Sequence, residues 1–573
     1  MQSADNWQCA LESAGLHVFV RGRNSGIYDA YSLGSAEGVI LGRLFRRRDA
    51  GRVQTGAALR TGEQQQILRS CGQALVHEYW GRYVAFLRSA DGRCVIRDPV
   101  GALPCFQLEH EGVRIVFSWL EDVLCLLREV PVPRVAWDCL AAHIAFVSIA
   151  GRETVLEGVT QIFPGERVSL PPAAPSSRLL WNAASFAGAP CQIGPRAAAA
   201  ELRSTVRATV QSWAGTFERI LMRLSGGLDS SIVLSCLDAS VNTDVTCINY
   251  HSPGSNSDER SYARLAALRA GRRLLERDRN ADYPLEHVLD VARTPLPPSY
   301  LGRLGSARMD AALSRELHTD AMFNGGGGDQ LFFQFRDWWA AADYLSDRGL
   351  DTGFWNASMD AARLADLSVW RVMRLALQDH WGCPAPEPGV PAHLALAVTG
   401  ALPDAVQRRR FEHPEAESFD AMPLAKRLHL QLLLAPTDTY DPYEREAAPE
   451  IVNPLLSQPV LEYCLALPTY LLTAGGQPRA LARRAFVDDI PPQIATRHSK
   501  GGMEEYLTTI LRRNANFARA LLLEGELVRR GLVDGRKIEA ILSDRPTTLA
   551  AHTTEIHIYL GIEAWLQRMR RQP

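Results

Sequence analysis

The chain has 573 residues, of which 46% are hydrophobic and 22% charged, and its formal net charge is −2. A chain of this length predicts two or more domains. The near-neutral charge disfavours nucleic acid as the main partner, because counterion release needs a basic face. No run of about 18 apolar residues could span a membrane, and the polar first ten residues predict no signal peptide.

The eleven cysteines are odd in number and irregularly spaced, and no Cys-x-x-Cys pair occurs. This pattern predicts reduced cysteines in a cytoplasmic protein, with neither a disulfide framework nor a zinc site. The fourteen histidines form no cluster with ligand spacing. Any metal chemistry is therefore expected to involve a hard cation held by carboxylates.

The first part of the chain has the pattern of antiparallel strands. Short apolar runs at residues 83–88, 94–97 and 113–117 are separated by turn signals such as Asp91-Gly92 and Glu111-Gly112. Proline-rich and glycine-containing stretches at residues 171–177 and 188–190 indicate a linker. We predict a first domain over residues 1–190, in which the basic run at residues 46–48 is a solvated loop.

The pattern changes after Pro195. A helical stretch at residues 197–213 is followed by alternating strands and helices, at residues 220–224, 230–237, 245–250 and 258–270. This alternation predicts a parallel sheet with crossover helices. From Trp338 onward the sequence is mostly helical, which predicts an α/β second domain over residues 191–573 with a helical extension.

Two glycine-rich segments carry the chemistry. The first glycine loop, Ser-Gly-Gly-Leu-Asp-Ser at residues 225–230, follows an apolar strand and opens a helix. Glycines, hydroxyls and a helix N-terminus suit an anion, and Asp229 suits a Mg²⁺ that bridges phosphate oxygens. No Gly-x-x-x-x-Gly-Lys-Ser/Thr loop is present, which disfavours γ-phosphoryl transfer. The second glycine loop, residues 324–329, again ends in a carboxylate, Asp329.

The first glycine loop resembles the pyrophosphate (PP) loop of the N-type ATP pyrophosphatases, which include asparagine, GMP, NAD and argininosuccinate synthetases. The second resembles the asparagine synthetase segment Ser-Gly-Glu-Gly-Ser-Asp-Glu-Leu-Phe. The resemblance implies ATP and Mg²⁺ as cofactors. It implies that the pyrophosphate and nucleotide are bound by Leu224, Ser225, Gly226, Gly227, Asp229, Ser230, Tyr250, Asn324 and Gly325, and that the metal is bound by Asp229 and Asp329.

Further matches follow downstream. Residues 450–463 resemble the family's Glu-x-Arg-x-Pro-Phe-Leu-Asp segment, with looser matches at Asn453 and Ser457. Residues 490–502 resemble the stretch before the family's catalytic lysine, which implies Lys500 as the catalytic residue that stabilises charge during acyl transfer. Glu444 and Glu446 are the best candidates for a general base, although a solvated, charged helix start explains them as well.

Residues 79–86, 97–104 and 117–121 resemble the N-terminal-nucleophile (Ntn) glutaminase domain of class B asparagine synthetases. The nucleophile of that domain is a cysteine exposed once Met1 is removed. Position 2 of this chain is Gln2, and Cys9 is not terminal and lacks the α-amine that serves as its base. We therefore predict an inactive glutaminase-like domain, so that the amine does not come from glutamine.

One branch of the superfamily combines these features. The glutamate of the asparagine synthetases falls on Gly326, and this acid belongs to handling of ammonia. An inactive glutaminase domain, a missing acid and an intact ATP apparatus resemble the lasso-peptide cyclases (macrolactam synthetases). That resemblance implies a precursor peptide as substrate, with a leader peptidase and a leader-recognition protein as further partners.

Of four alternatives, one, a catalytically inactive scaffold, is disfavoured because Asp229, Asp329 and Lys500 are all retained. The chain could be an ammonia-dependent asparagine synthetase, or a β-lactam synthetase-like enzyme that cyclises a small amino acid. A tRNA-modifying pyrophosphatase of the same superfamily is disfavoured by the neutral charge and the absent Cys-x-x-Cys.

Overall fold

The computed structural model describes residues 7–21, 29–47, 58–89, 92–146, 151–171, 176–188, 191, 193–237, 243–252, 258–279, 282–298, 305–382, 395–401, 409–434, 443, 447–497, 501–543 and 546–571. Within these ranges, no helix is both long enough and apolar enough to cross a bilayer. The structure combines antiparallel sheets, a parallel sheet and many helices, which confirms the predicted α/β class.

The first part of the chain forms antiparallel sheets, as predicted. Its central sheet has six strands in the order β11-β10-β6-β5-β4-β3, beside a three-stranded sheet β8-β7-β9 and the hairpin β1-β2. The strands are β1 Trp7–Ser13, β2 Leu16–Arg21, β3 Ala30–Leu33, β4 Gly38–Arg46, β5 Tyr79–Ser89, β6 Gly92–Arg97, β7 Phe106–His110, β8 Val113–Phe117, β9 Thr160–Gln161, β10 Glu166–Leu170 and β11 Ser177–Leu179.

The second part contains a five-stranded sheet in the order β14-β13-β12-β15-β16, and every neighbouring pair is parallel. Its strands are β12 Arg219–Arg223, β13 Asp244–His251, β14 Arg273–Asp278, β15 Ala321–Phe323 and β16 Glu450–Val452. The strand order reverses between β12 and β15. In open parallel sheets, ligands bind at the carboxyl ends of the strands at such a reversal.

Helices surround both parts and make up most of the chain after residue 338, as predicted. The α-helices before the second glycine loop are α1 Thr61–Arg69, α2 Gln73–Glu78, α3 Leu120–Leu126, α4 Trp137–Phe146, α5 Ala183–Ala187, α6 Pro195–Ala214, α7 Leu228–Cys236, α8 Arg260–Ala270 and α9 Ala307–Leu317. Those that follow are α10 Gly328–Leu331, α11 Trp339–Arg348, α12 Thr352–Ala365, α13 Val369–His380, α14 Ala416–Asp420, α15 Leu424–Leu433, α16 Gln458–Ala466, α17 Thr469–Leu472, α18 Ala480–Ala485, α19 Pro492–Ala495, α20 Glu504–Arg513, α21 Ala515–Leu523, α22 Glu526–Arg529, α23 Gly535–Ser543 and α24 Pro546–Arg570. Short 3₁₀ helices occur at Leu285–Asp290, Thr399–Ala401 and Arg409–Phe411.

The two parts share their apolar cores. One core joins residues of β4, β5 and β6 to residues of α6, β12, α7 and α16. A second core joins α3 and α4 to α20, α21 and the long α24. The sequence pattern did not indicate α3 and α4, which lie within the strand-rich first part. The boundary at residue 190 stays a prediction, and the shared cores indicate that the two parts support each other.

Candidate active site

The first glycine loop connects β12 to α7 and folds back on itself. Gly226 has φ of +82°, and a Cβ atom at this position would lie 2.9 Å from the Glu259 carbonyl oxygen, so only glycine fits. The Ser225 hydroxyl accepts from the Gly227 N–H at 3.2 Å and lies 3.0 Å from the Ser230 hydroxyl. A tight turn lined with hydroxyls at a helix N-terminus suits binding of an anion such as pyrophosphate.

The second glycine loop follows β15 and contacts the first. The Asn324 side-chain oxygen accepts from the Gly326 N–H at 2.6 Å, which closes the turn. A Cβ atom on Gly325 would lie only 2.5 Å from the Ser230 backbone nitrogen. The two loops therefore meet at the strand-order reversal, because β12 and β15 are neighbours and both loops leave the carboxyl ends of their strands.

A buried arginine, which the sequence analysis did not single out, joins the two acidic residues of these loops. Arg479 Nη1 donates to Asp229 Oδ2 and to Asp329 Oδ1, each at 2.7 Å. Arg479 is only 6% exposed and has φ of +57°, immediately before α18. Its position after a Gly-Gly-Gln-Pro turn at residues 475–478 is the only sequence signal that could have drawn attention to it.

The arrangement brings two negative charges and one positive charge to a single point. The side chain of Asp229 is 9% exposed and that of Asp329 is 41% exposed, so the point is accessible from the side of Asp329. Two convergent carboxylates fit Mg²⁺ in number and kind, because this ion takes one or two carboxylates and completes its octahedron with phosphate oxygens and water. The site can therefore bind the phosphates of a nucleotide, with the positive charge supplied by Arg479, by Mg²⁺ or by both.

Two of the predicted nucleotide-lining residues lie at the edge of this site. Leu224 is fully buried at the end of β12, where its N–H donates to the Ile248 carbonyl at 2.9 Å. Tyr250 lies on the face of the sheet that packs against α9, and its hydroxyl donates to Asp310 at 2.7 Å. Burial and the Asp310 carboxylate raise the pKa of Tyr250, so its hydroxyl stays protonated. The roles of both residues in nucleotide binding stay predictions.

The predicted catalytic Lys500 and the candidate bases Glu444 and Glu446 lie outside the described residues. The neighbours of Lys500 are described. Arg497 forms an ion pair with Glu259 at 2.7 Å, and the Gly501 N–H donates to the same carboxylate at 2.9 Å. Because the Glu259 carbonyl faces Gly226, the chain on both sides of Lys500 runs beside the first glycine loop.

Comparisons with known proteins agree with this chemistry at the level of the family. The family model described as asparagine synthase matches residues 201–567, which include both glycine loops and Arg479. Among curated proteins, none matches the chain. One solved structure with similarity is the glutamine-dependent NAD+ synthetase from Acinetobacter baumannii in complex with ADP. It is 13% identical over 57% of this chain and 84% of that chain, with a TM-score of 0.18, which is too low to relate the two folds.

Proposed function

The chain belongs to the asparagine synthase family and is an ATP-dependent, amide-forming ligase, and on this premise we propose that its substrate is a peptide that it closes into a ring. The enzyme would adenylate an Asp or Glu side-chain carboxylate of a precursor peptide. It would then join this carboxylate to the peptide's own N-terminal amine and release AMP. This is the reaction of a lasso-peptide macrolactam synthetase.

The observation that carries the proposal is the crowding around Gly326, where the asparagine synthetases have an acid that handles ammonia. A Cβ atom on Gly326 would lie 2.6 Å from the Asn324 side-chain oxygen and 3.0 Å from that of Asn453. The two asparagines therefore occupy the space that an acidic side chain would need. A peptide α-amine has less need of such an acid, because with a pKa of roughly 7.7–8 about a tenth or more of it is neutral at pH 7.

In the adenylation step, an oxygen of the substrate carboxylate attacks the α-phosphorus of ATP and pyrophosphate leaves. The hydroxyls of Ser225 and Ser230 and the backbone N–H groups of the first glycine loop would hold the leaving pyrophosphate. Asp229 and Asp329 would hold Mg²⁺, which when bound supplies positive charge to the phosphates. Arg479, which donates to both carboxylates, would offer its guanidinium to phosphate oxygens when ATP is bound.

In the amide-forming step, the amine attacks the acyl carbon, AMP leaves with the bonding electron pair, and the amine loses a proton. The positive charges of Arg479 and Lys500 would stabilise the oxyanion that forms. A prefolded peptide that presents both groups in one pocket makes the step intramolecular, which lowers its entropic cost. In the cytoplasm, a leader peptidase and a leader-recognition protein would prepare and deliver this peptide.

The test uses synthetic peptides with a free N-terminus and a single internal Asp or Glu at varied positions, incubated with ATP and Mg²⁺. We expect AMP release together with a peptide product that is lighter by one water, measured by mass spectrometry. N-terminally acetylated peptides are the matched control, and they should not lose water. AMP release with aspartate and ammonium alone would identify an asparagine synthetase instead and contradict the proposal.

A further inference from the structure

Two buried arginines of the antiparallel sheet hold the last strand of the parallel sheet. Arg82 on β5 donates from Nη1 to the Ile451 carbonyl at 3.1 Å and forms an ion pair with Glu450. Arg43, its direct partner across β4 and β5, lies 3.5 Å from the other oxygen of Glu450 and donates to the Thr216 carbonyl at 3.0 Å. We call Arg43, Arg82 and Glu450 the arginine clamp.

The first part of the chain holds the same segment at a second point, through residues that follow β4 and β11. Arg47, predicted to lie in a solvated loop, instead forms an ion pair with Glu462 on α16, because this carboxylate is buried and needs a partner. Trp181 Nε1 donates to the same carboxylate at 2.8 Å. Residues 450–462 are therefore fixed to the first part of the chain at both ends.

Between these two points, the segment supports the second glycine loop. The Asn453 side-chain oxygen lies 3.0 Å from the position that a Cβ on Gly326 would take, and the side chain of Leu456 fills the space next to Gly327. Leu456 and Asn453 are joined by a backbone hydrogen bond of 2.9 Å, which closes a turn between them. The second glycine loop thus lies between the first glycine loop on one side and residues 453–456 on the other.

We propose that Arg82 is a positioning residue for the ATP site. By fixing Glu450 and the Ile451 carbonyl, it sets where residues 453–456 lie, and these hold the second glycine loop against the first. The first part of the chain then has a function of its own, because it shapes the synthetase site. The inference rests on the proposed function only in that the two glycine loops bind ATP.

The experiment compares two arginines of the same interface. Arg82→Gln breaks the clamp near the second glycine loop, whereas Arg47→Gln breaks the contact at Glu462, beyond residues 453–456. The probe is the non-hydrolysable nucleotide α,β-methylene-ATP with Mg²⁺, titrated calorimetrically into the full chain. We expect Arg82→Gln to weaken nucleotide binding about tenfold and Arg47→Gln to weaken it less than about twofold. The two substitutions should lower the thermal midpoint of unfolding by similar amounts. Equal losses of affinity in the two variants, or none in Arg82→Gln, would overturn the inference.

Two further measurements keep the test decisive. Hydrogen exchange of peptides covering residues 324–331 should be faster in Arg82→Gln than in Arg47→Gln, and equal rates would overturn the inference whether or not nucleotide binds. If Arg82→Gln does not fold, Arg82→Lys takes its place, since lysine keeps the charge but loses the paired donors. Weaker nucleotide binding by Arg82→Lys is then expected, and wild-type affinity would overturn the inference. Failure of the wild type to bind the nucleotide would refute the ATP site alone.

Discussion

The antiparallel sheet before residue 180 and the parallel sheet after residue 218 each have buried charges beside them, and the Arg97–Asp98 pair of the first is satisfied differently from Arg479 near the second. In the first, Arg97 donates to three backbone carbonyls at 2.6–2.8 Å, those of Gly101, Leu103 and Ile162. Asp98 accepts from backbone N–H groups, including that of Gly101 at 2.8 Å. Near the second sheet, Arg479 bonds two aspartates from two different loops.

The difference lies in how far apart the partners are in the sequence. Asp98 closes a local turn, because three of its N–H donors, those of Val100, Gly101 and Ala102, are within four residues of it. Arg479 lies 250 residues from Asp229 and 150 residues from Asp329. A locally satisfied charge contributes mainly to folding. Charges that converge from distant elements can exchange partners with a ligand, so they are candidates for function.

The strongest test of this contrast pairs Asp229→Asn with Asp98→Asn. Asp229→Asn should lower AMP formation by about a thousandfold or more, because it removes charge where the phosphates and the cation meet. The chain should stay folded, because Arg479 keeps Asp329 as a partner. Asp98→Asn should lower the unfolding free energy by about 1–3 kcal/mol and leave turnover per folded molecule within about twofold. For each variant, urea unfolding measures the free energy of unfolding and an AMP assay measures the turnover. A folded Asp98→Asn chain without activity would break the contrast.

The next largest effect is expected at Arg479. Arg479→Gln should lower the rate of AMP formation by about 10²–10³-fold, since the positive charge at the phosphates is lost. Arg479→Lys should retain more activity than glutamine but less than arginine, because lysine offers a point charge without the planar set of donors. The control is Arg484→Gln on the exposed side of α18, the helix that Arg479 precedes. This variant should leave the rate of AMP formation unchanged. A wild-type rate in Arg479→Gln would assign Arg479 a structural role only.

A smaller effect is expected where the two glycine loops touch. A Cβ on Gly325 would lie 2.5 Å from the Ser230 nitrogen and 2.8 Å from the Asp229 carbonyl carbon, and backbone atoms cannot move without moving the first glycine loop. Gly325→Ala should therefore raise the KM for ATP about tenfold. The matched control is Gly62→Ala in α1, where a Cβ meets nothing within 4 Å. An unchanged KM in Gly325→Ala would show that the loops tolerate separation.

Both glycine loops and the parallel sheet could be predicted from the sequence because their signals are local. A short apolar strand, two glycines and a helix start lie within about a dozen residues, so the pattern around residues 225–230 needs no tertiary information. The antiparallel hairpins could be predicted for the same reason, because short apolar runs and the turn signals between them are also local.

The rest depended on contacts between distant residues. Arg479 looks like any basic residue before a helix, and only the fold brings Asp229 and Asp329 to it. Arg47 looked solvated in the sequence, because its buried partner Glu462 is 415 residues away. Tyr250 was placed on the correct strand, but its hydrogen bond to Asp310 depends on how α9 packs against the sheet.

The smallest expected effect concerns pH and the first part of the chain. Burial lowers the pKa of His143 on α4 to about 4, below its ordinary value of 6.5. Between these values the unfolded chain binds a proton at this residue that the folded chain does not. The contribution of His143 to the free energy of unfolding is therefore complete above pH 6.5 and is lost as the pH falls toward 4. Between pH 7.5 and 4.5, the free energy of unfolding measured with urea should fall by roughly 2 kcal/mol more in the wild type than in His143→Gln. The helix of His143 packs in the second core, whereas residues beside both glycine loops pack in the first, so the pH profile of AMP formation should stay the same. A shifted profile would mean that titration in the first part of the chain affects the ATP site.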